Sequence, residues 1–141
     1  MVRLATPGYR VGALAVVVRP DGRLLLVDQP YVRGWALPGG DLKRGEDPAA
    51  GLTRELREEI GLEVALEPLR LACLRTHDRW VTFVTRVEVD DATADGLRPR
   101  SAELARLTWA APDALPQVHP DTVGPLGLLG IDVAATGVTG H

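Results

Sequence analysis

The sequence predicts an α/β fold, a three-layer α/β/α sandwich with a mixed β-sheet. Three observations support it: an apolar hairpin near the start, an amphipathic helix after a glycine- and proline-rich loop, and extended apolar segments that end in a short helix. A helix with one apolar stripe is stable when the stripe packs on a sheet, so we place the two helices on opposite faces. A chain of 141 residues suffices for one ordinary core and is short for two. We therefore expect one domain over residues 1–141.

The first element is a hairpin. Residues 9–19 and 24–27 are rich in valine, alanine and leucine, and Pro20-Asp21-Gly22 between them is typical of a tight turn. Residues 29–40 follow with two prolines and three glycines, too many for a regular element. They predict a loop whose backbone approaches another group closely.

A helix over residues 48–60 is predicted from both of its ends. Asp47 followed by Pro48 is a typical helix start, and Gly61 is a typical stop. Apolar side chains recur at every fourth position, which places them on one buried face. These side chains are Leu52, Leu56 and Ile60.

The rest of the chain predicts more strands and a second helix. Residues 64–75 and 80–89 are extended and apolar on either side of a polar turn at 76–79, and a third strand is predicted over residues 104–110. We expect a loop over residues 90–101 and a short helix or turn at 112–115. A docked helix is expected near residues 123–129, followed by a frayed C-terminal tail.

Composition and charge exclude several classes of function. The net charge of −3 gives no basic footprint for duplex nucleic acid. No apolar run approaches the roughly 20 residues that cross a bilayer, and residues 1–10 lack the apolar stretch of a secretory signal. We expect a soluble, cytoplasmic protein with no membrane partner. No heptad or isolated apolar stripe marks an interface, so a homodimer stays open.

Three glutamates converge on the predicted helix. Glu55 and Glu59 lie one turn apart on one face, with Glu58 at the edge of that face. One interpretation is a solvated surface in which Arg54 pairs with Glu58 at the four-residue spacing. Glutamates in the last turn, however, face the negative end of the helix dipole and one another, which is unfavourable without a counter-charge. A divalent cation supplies that charge.

Oxygen ligands without histidine or cysteine favour Mg²⁺, with Mn²⁺ as the alternative, over zinc. Magnesium keeps several waters and is shared between a few carboxylates and substrate phosphates. A helix edge beside an open loop suits this arrangement. The pattern therefore predicts a phosphorylated small molecule as the substrate.

The spacing resembles the signature of the Nudix hydrolase family at every specified position. The approach Trp35-Ala36-Leu37-Pro38-Gly39-Gly40 also looks like the usual entry to that motif, and the order of elements from residue 9 to about 116 is similar to the family's sandwich fold. The residues that carry the resemblance are Gly40, Glu46, Arg54, Glu55, Leu56, Glu58, Glu59, Gly61 and Leu62.

The resemblance implies divalent-metal-dependent hydrolysis of the pyrophosphate bond in a nucleoside diphosphate linked to another moiety. It implies metal ions held by the backbone carbonyl of Gly39 and by the glutamates at 55, 58 and 59. Arg54 and Glu46 would keep loop and helix in register, with Arg54 orienting a catalytic carboxylate, while Gly40 and Gly61 are structural.

The general base stays open between two glutamates. Glu55, within the helix, is placed first. Glu103 is second, because its offset from Trp109 is similar to that of a downstream metal-binding glutamate in the antimutator branch of the family. A surface position in a polar loop is the alternative interpretation for Glu103.

Substrate selection has to come from residues outside the motif. We expect Tyr31, Trp35 and Trp80 to stack on a base and Arg33 to contact phosphates. Ordinary packing and solvated surface positions are the competing interpretations. The sequence leaves open the identity of the substrate and two other functions: a non-catalytic nucleotide or nucleotide-sugar sensor, and processing of capped RNA ends.

Overall fold

The structure, a computed structural model, describes residues 8–66, 68–75 and 78–133. Residues 76 and 77 of the expected turn and the expected frayed tail from residue 134 lie outside this range. No helix in the described ranges is long and apolar enough to cross a membrane. The elements are β1 (Arg10–Val18), β2 (Leu24–Asp28), β3 (Gly39–Asp41), α1 (Pro48–Ile60), β4 (Arg70–Arg75), β5 (Trp80–Glu88), α2 (Asp91–Gly96), β6 (Arg106–Ala110) and α3 (Pro120–Leu128).

The sheet is built around β1. Its whole length pairs in parallel with β5, from Arg10 opposite Trp80 to Val18 opposite Glu88. On the other side of β1, β3 pairs antiparallel with the first half and β2 with the end. The strand order is β4-β5-β1-β2-β6, with β3 beside β1. Parallel and antiparallel pairs occur together, which confirms the mixed sheet.

The two faces of the sheet support separate hydrophobic clusters. Ala13, Ala15 and Val17 of β1 pack with the apolar stripe of α1. Val16 and Val18, which alternate with them, pack on the other face in the cluster that contains Leu126 of α3. Alternation along β1 thus serves two cores, as expected for a strand covered on both sides. The α/β/α sandwich is confirmed.

Helix α1 has the predicted bounds. The Asp47 side chain accepts a hydrogen bond from the Ala50 N–H and caps the first turn. Gly61 ends the helix with a φ of 75°, in the left-handed region that favours glycine. Its N–H donates a hydrogen bond to the Arg57 carbonyl. The three stripe residues are fully buried.

Two expected loops contain regular structure. Helix α2 lies within the expected loop 90–101, because Asp90 accepts from the Thr93 N–H as an N-cap and Ala94 is buried. The expected loop 29–40 ends in β3, whose backbone pairs with β1. A β-carbon at Gly39 would collide with the Ala13 carbonyl oxygen, so glycine is what permits this pairing.

Other boundaries differ by a few residues. β4 is the last part of the expected strand 64–75, and β6 begins two residues late, although Leu104 before it is buried. α3 begins three residues earlier than expected because His119 accepts from the Asp121 N–H and Pro120 opens the first turn. Residues 112–114 form a turn.

Candidate active site

Arg54 lies at the centre of the acidic residues on α1. Its Nε is 2.8 Å from Oε2 of Glu46 and its Nη2 is 3.0 Å from Oε1, so the pair is bidentate. Its Nη1 is 3.0 Å from Oε1 of Glu55 and 3.2 Å from Oε2 of Glu58. The helix-surface pairing of Arg54 with Glu58 is therefore present, together with contacts that a solvated helix face lacks. One guanidinium contacts three carboxylates.

Glu46 fastens the loop before α1 to the helix. Its Oε1 also accepts the Lys43 N–H at 2.9 Å, and hydrogen bonds from Arg54 and then Lys43 lower the pKa of Glu46 to about 2. Gly51 gives the carboxylate room, because a β-carbon there would lie 2.8 Å from Oε1 of Glu46. The structure thus brings the two motif residues at 46 and 54 together.

Glu59 is the buried carboxyl group of the site. It is 4% exposed, and its Oε2 has no hydrogen-bond partner. Burial, a hydrogen bond with the Glu55 carboxyl group, and the negative charges of Glu55 and Glu103 raise the pKa of Glu59 to about 9, while the Gly39 N–H opposes the shift. Two neighbouring carboxyl groups such as Glu55 and Glu59 repel each other when both are ionised, so either a proton or a cation has to lie between them.

Glu103 reaches this region because its loop is tied to the end of α1. The Arg100 N–H donates to the Glu59 carbonyl at 2.7 Å and the Arg98 N–H to the Ile60 carbonyl at 3.3 Å. These bonds satisfy carbonyls that the helix end leaves free. Glu103 itself is exposed on the turn that follows, and its charge acts on Glu59. A residue 44 positions downstream thus belongs to the same electrostatic cluster.

Gly39 and Gly40 form the wall between this cluster and a neighbouring cleft. A β-carbon at Gly40 would lie 3.2 Å from the Glu55 carboxyl group. Both glycines also line the cleft on the other side, which has a volume of about 260 Å³. The strand β3 therefore separates the carboxylates from the cleft by little more than backbone.

The donor set fits a hard divalent cation in its chemistry, but the ligands are not gathered in advance. Across the described ranges, no three acidic, histidine or cysteine side chains are placed to hold a metal ion by themselves. Glu55 and Glu58 contact Arg54 instead, and Glu58 is half-exposed. The unpartnered Oε2 of Glu59 is the observation that favours a cation here.

Of the expected substrate-binding residues, the structure brings one to the cleft. Trp80 lines it. Tyr31 is fully exposed and Arg33 is exposed, and neither lines the cleft. Trp35 packs against the core on the α3 face, with the Arg106 guanidinium 5.1 Å from its ring centroid.

Several cleft residues were not identified from the sequence as site residues. No local pattern marks them, because the cleft forms where β1 and β5 pair, the loop after β2 folds over and α3 begins. The polar members of this group are Arg10, Gln29, Asp41, Thr82, His119, Asp121 and Thr122.

Comparisons with known proteins agree with this architecture. The family model for the NUDIX domain matches residues 8–126. A MutT-like protein of Streptomyces ambofaciens is 31% identical over 135 residues, covering 96% of this chain and 85% of that protein. A putative 8-oxo-dGTP diphosphatase of Bacillus subtilis is 33% identical over 110 residues, covering 77% of this chain and 70% of the relative.

A solved structure extends the similarity to three dimensions. The crystal structure of a MutT NUDIX hydrolase from Burkholderia pseudomallei aligns with a TM-score of 0.64 and 31% identity, over 82% of this chain and 94% of that one. The family-model match over residues 8–126 spans the carboxylate helix, the sheet and most of α3. The chain belongs to the Nudix hydrolase family.

Proposed function

We propose that this protein hydrolyses the pyrophosphate bond of a nucleoside diphosphate linked to another moiety, with Mg²⁺ or Mn²⁺ as the cofactor. The observation that carries the proposal is the buried Glu59 carboxyl group. Its Oε2 has no hydrogen-bond partner, and the negative charges of Glu55 and Glu103 act on it. A buried carboxyl group either keeps its proton or needs a positive ligand, and a cation at this position would stabilise the ionised form.

The cation would be held by Glu55, Glu58, Glu59 and the Gly39 carbonyl, with Glu103 as a further ligand. Mg²⁺ commonly uses one or two carboxylates and completes its shell with water and phosphate oxygens, so a preassembled cage is not required. When bound, it neutralises charge on the phosphates and lowers the pKa of a water molecule.

The protein groups orient the water and accept its proton. In hydrolysis, a bond forms between the water oxygen and phosphorus, the bridging P–O bond breaks, and one water proton passes to a carboxylate. Glu55 is the first candidate for the acceptor because Arg54 fixes its position and the absence of a side chain at Gly40 leaves room for its carboxyl group. Glu103 is the second, since it lies exposed near the same cluster.

The nucleotide would bind in the cleft on the other side of Gly39 and Gly40. Its volume of about 260 Å³ lies just below the usual range for ligand sites, which favours a mononucleotide over a dinucleotide. The name of the Bacillus subtilis relative adds oxidised dGTP to the substrates worth testing. Trp80 forms one wall of this cleft, and Tyr31, Trp35 and Arg33 remain outside it.

A substrate panel tests the proposal. Nucleoside triphosphates, 8-oxo-dGTP, ADP-ribose, a UDP-sugar and capped RNA are each incubated with Mg²⁺, with Mn²⁺ and with chelator. We expect a nucleoside triphosphate to give mononucleotide and pyrophosphate only when Mg²⁺ or Mn²⁺ is present. If the protein binds nucleotides but releases no hydrolysis product from any member of the panel, the hydrolase assignment is contradicted.

That contrary result would favour a second function, a nucleotide-binding module without turnover. Its supporting observation is that Arg54 contacts Glu55 and Glu58, so these carboxylates already have a counter-charge. A binding module predicts nucleotide affinity that is equal with cation and with chelator. A hydrolase predicts affinity that depends on the cation.

A further inference from the structure

Arg10 presents a guanidinium group in the cleft beside Gly39 and Gly40. Its Nη2 donates to Oδ2 of Asp41 at 2.6 Å, and its Cζ lies 4.4 Å from the centroid of the Trp80 ring. The ion pair and the ring hold the group in one place. The Arg10 side chain is nevertheless 66% exposed.

Among the residues that the structure describes, few groups use the donors of Arg10. Within residues 8–66, 68–75 and 78–133, Asp41 is the one side chain that accepts a hydrogen bond from this guanidinium, which has five N–H groups. Arg75 also lies over Trp80, with 5.8 Å between its Cζ and the ring centroid. Arg75, however, contacts two carboxylates, Asp121 at 2.8 Å and Asp78 at 3.1 Å. Of the two arginines, Arg10 is therefore the one available to a ligand.

We propose that Arg10 is a substrate-binding residue that binds a phosphate group of the nucleotide, and that Asp41 competes with this phosphate for the guanidinium. The inference rests on the proposed function, because it takes the cleft as the nucleotide site. Trp80 then acts as a positioning residue whose ring supports Arg10. A base that stacked on the face covered by Arg10 would have to displace it.

The roles of Arg10 and Asp41 predict opposite effects on affinity. The probe is α,β-methylene-dGTP, in which a methylene group replaces the scissile oxygen, and its Kd is measured by calorimetry with Mg²⁺ present. Arg10→Gln removes a charge-assisted bond and should raise the Kd about tenfold. Arg10→Lys keeps the charge but loses the planar fork, and should raise it about threefold. Asp41→Asn removes the competitor and should lower the Kd about threefold.

A double-mutant cycle separates competition from general electrostatics. Removing any acidic residue near an anion favours binding, so Asp41→Asn is also made in the Arg10→Gln background. We expect the gain from Asp41→Asn to disappear there, because Asp41 acts through Arg10. An equal gain in both backgrounds would overturn the proposal, as would a larger loss for Arg75→Gln than for Arg10→Gln.

Two comparisons complete the design. Arg23 and Asp21 form an exposed pair with the same 2.6 Å separation at the hairpin turn, and Arg23→Gln and Asp21→Asn should leave the Kd unchanged. Deoxyguanosine, which has no phosphate, should bind equally to the wild type and to Arg10→Gln. Exposed ion pairs contribute little to stability, so these variants should fold, as checked by circular dichroism.

Failure of this inference differs from failure of the proposed function. Binding that depends on Arg10, without hydrolysis of any panel member, retains the phosphate-binding role and contradicts the hydrolase. Hydrolysis with unchanged Kd and KM in Arg10→Gln retains the hydrolase and overturns the role of Arg10. Absence of nucleotide binding by the wild type overturns both.

Discussion

Arg54 and Glu46 face each other across two hydrogen bonds, 2.8 Å from Nε to Oε2 and 3.0 Å from Nη2 to Oε1. The fork-to-fork geometry fixes the plane of the guanidinium. The remaining Nη1 then reaches Glu55, the next residue in the chain, and Glu58, one turn along the helix. The loop that contains Glu46 therefore controls the direction of carboxylates that it never contacts itself.

Replacement of Arg54 by lysine should lower kcat about 10- to 100-fold, as for other groups that orient a metal ligand. An ammonium group cannot hold Glu46 with two parallel bonds and contact Glu55 at the same time. The measurement is steady-state kinetics on the best substrate of the panel, with the melting temperature as a check of the fold.

The matched control is Arg57→Lys, an exposed arginine on the same helix. Its kcat should equal that of the wild type. Equal losses in the two variants would show that the effect comes from helix stability, and would contradict an orienting role for Arg54.

The carboxylate helix could be predicted from the sequence because its determinants are local. Asp47, Pro48 and Gly61 fix the two ends through contacts within one turn of the chain. The apolar residues at every fourth position, Leu52, Leu56 and Ile60, fix the buried face. Helix α2 was missed because six residues with one buried side chain give no periodic pattern, and its Asp90 cap lies in a run that reads as a polar loop.

Gly40→Ala should leave the fold intact and lower kcat about tenfold. The added β-carbon would lie 3.2 Å from the Glu55 carboxyl group, so that group has to shift by a few tenths of an ångström. Because Arg54 Nη1 lies 3.0 Å from Oε1 of Glu55, this shift also disturbs the ion pair between the two residues. Small displacements of reacting groups have large effects on rate.

Gly124→Ala is the control for this substitution. A β-carbon at Gly124 meets nothing within 4 Å, and the residue lies in α3. Alanine should raise stability by about 1 kcal/mol through helix propensity and leave kcat unchanged. Wild-type activity in Gly40→Ala would show that the position of the Glu55 carboxylate does not limit the reaction.

Glu103→Gln tests the downstream candidate for the general base. If this residue accepts the proton of the attacking water, kcat should fall about 100-fold with little change in KM. Glu63→Gln, an exposed glutamate just after α1, is the control and should have no effect. An unchanged rate in Glu103→Gln would return Glu103 to the solvated-loop interpretation and leave Glu55 as the base.

The cleft could not be predicted because its residues come from distant segments. Arg10 and Trp80 meet only because β1 and β5 pair in parallel in this register. In the sequence these two strands are separated by segments that include α1 and β4, which have to fold for the strands to meet. Aromatic character alone did not separate Trp80, which lines the cleft, from the fully exposed Tyr31. Distance in sequence, rather than weak propensity, limited the prediction.

Glu59→Gln should stabilise the protein in chelator while it abolishes activity. Without a cation, the folded protein has to keep Glu59 protonated, since its pKa is raised from 4.5 to about 9. Between these values the folded state binds more protons than the unfolded state, so the free energy of unfolding falls as the pH rises from about 5 to 9. Glutamine is neutral at every pH and can donate to Glu55. At pH 8 it should therefore raise the free energy of unfolding by about 1 to 3 kcal/mol.

Thermal and urea unfolding in EDTA at pH 5, 7 and 9 measures this effect, and the gap between variant and wild type should widen with pH. Added Mg²⁺ should raise the melting temperature of the wild type but not of Glu59→Gln, because the cation binds the folded state through this carboxylate. Glu58→Gln is the matched control: its side chain is 54% exposed, so its stability in EDTA should follow that of the wild type. A Glu59→Gln variant that is less stable than the wild type in EDTA at pH 8 would mean that the buried carboxyl group is a structural partner, and would remove the main support for a cation at the end of α1.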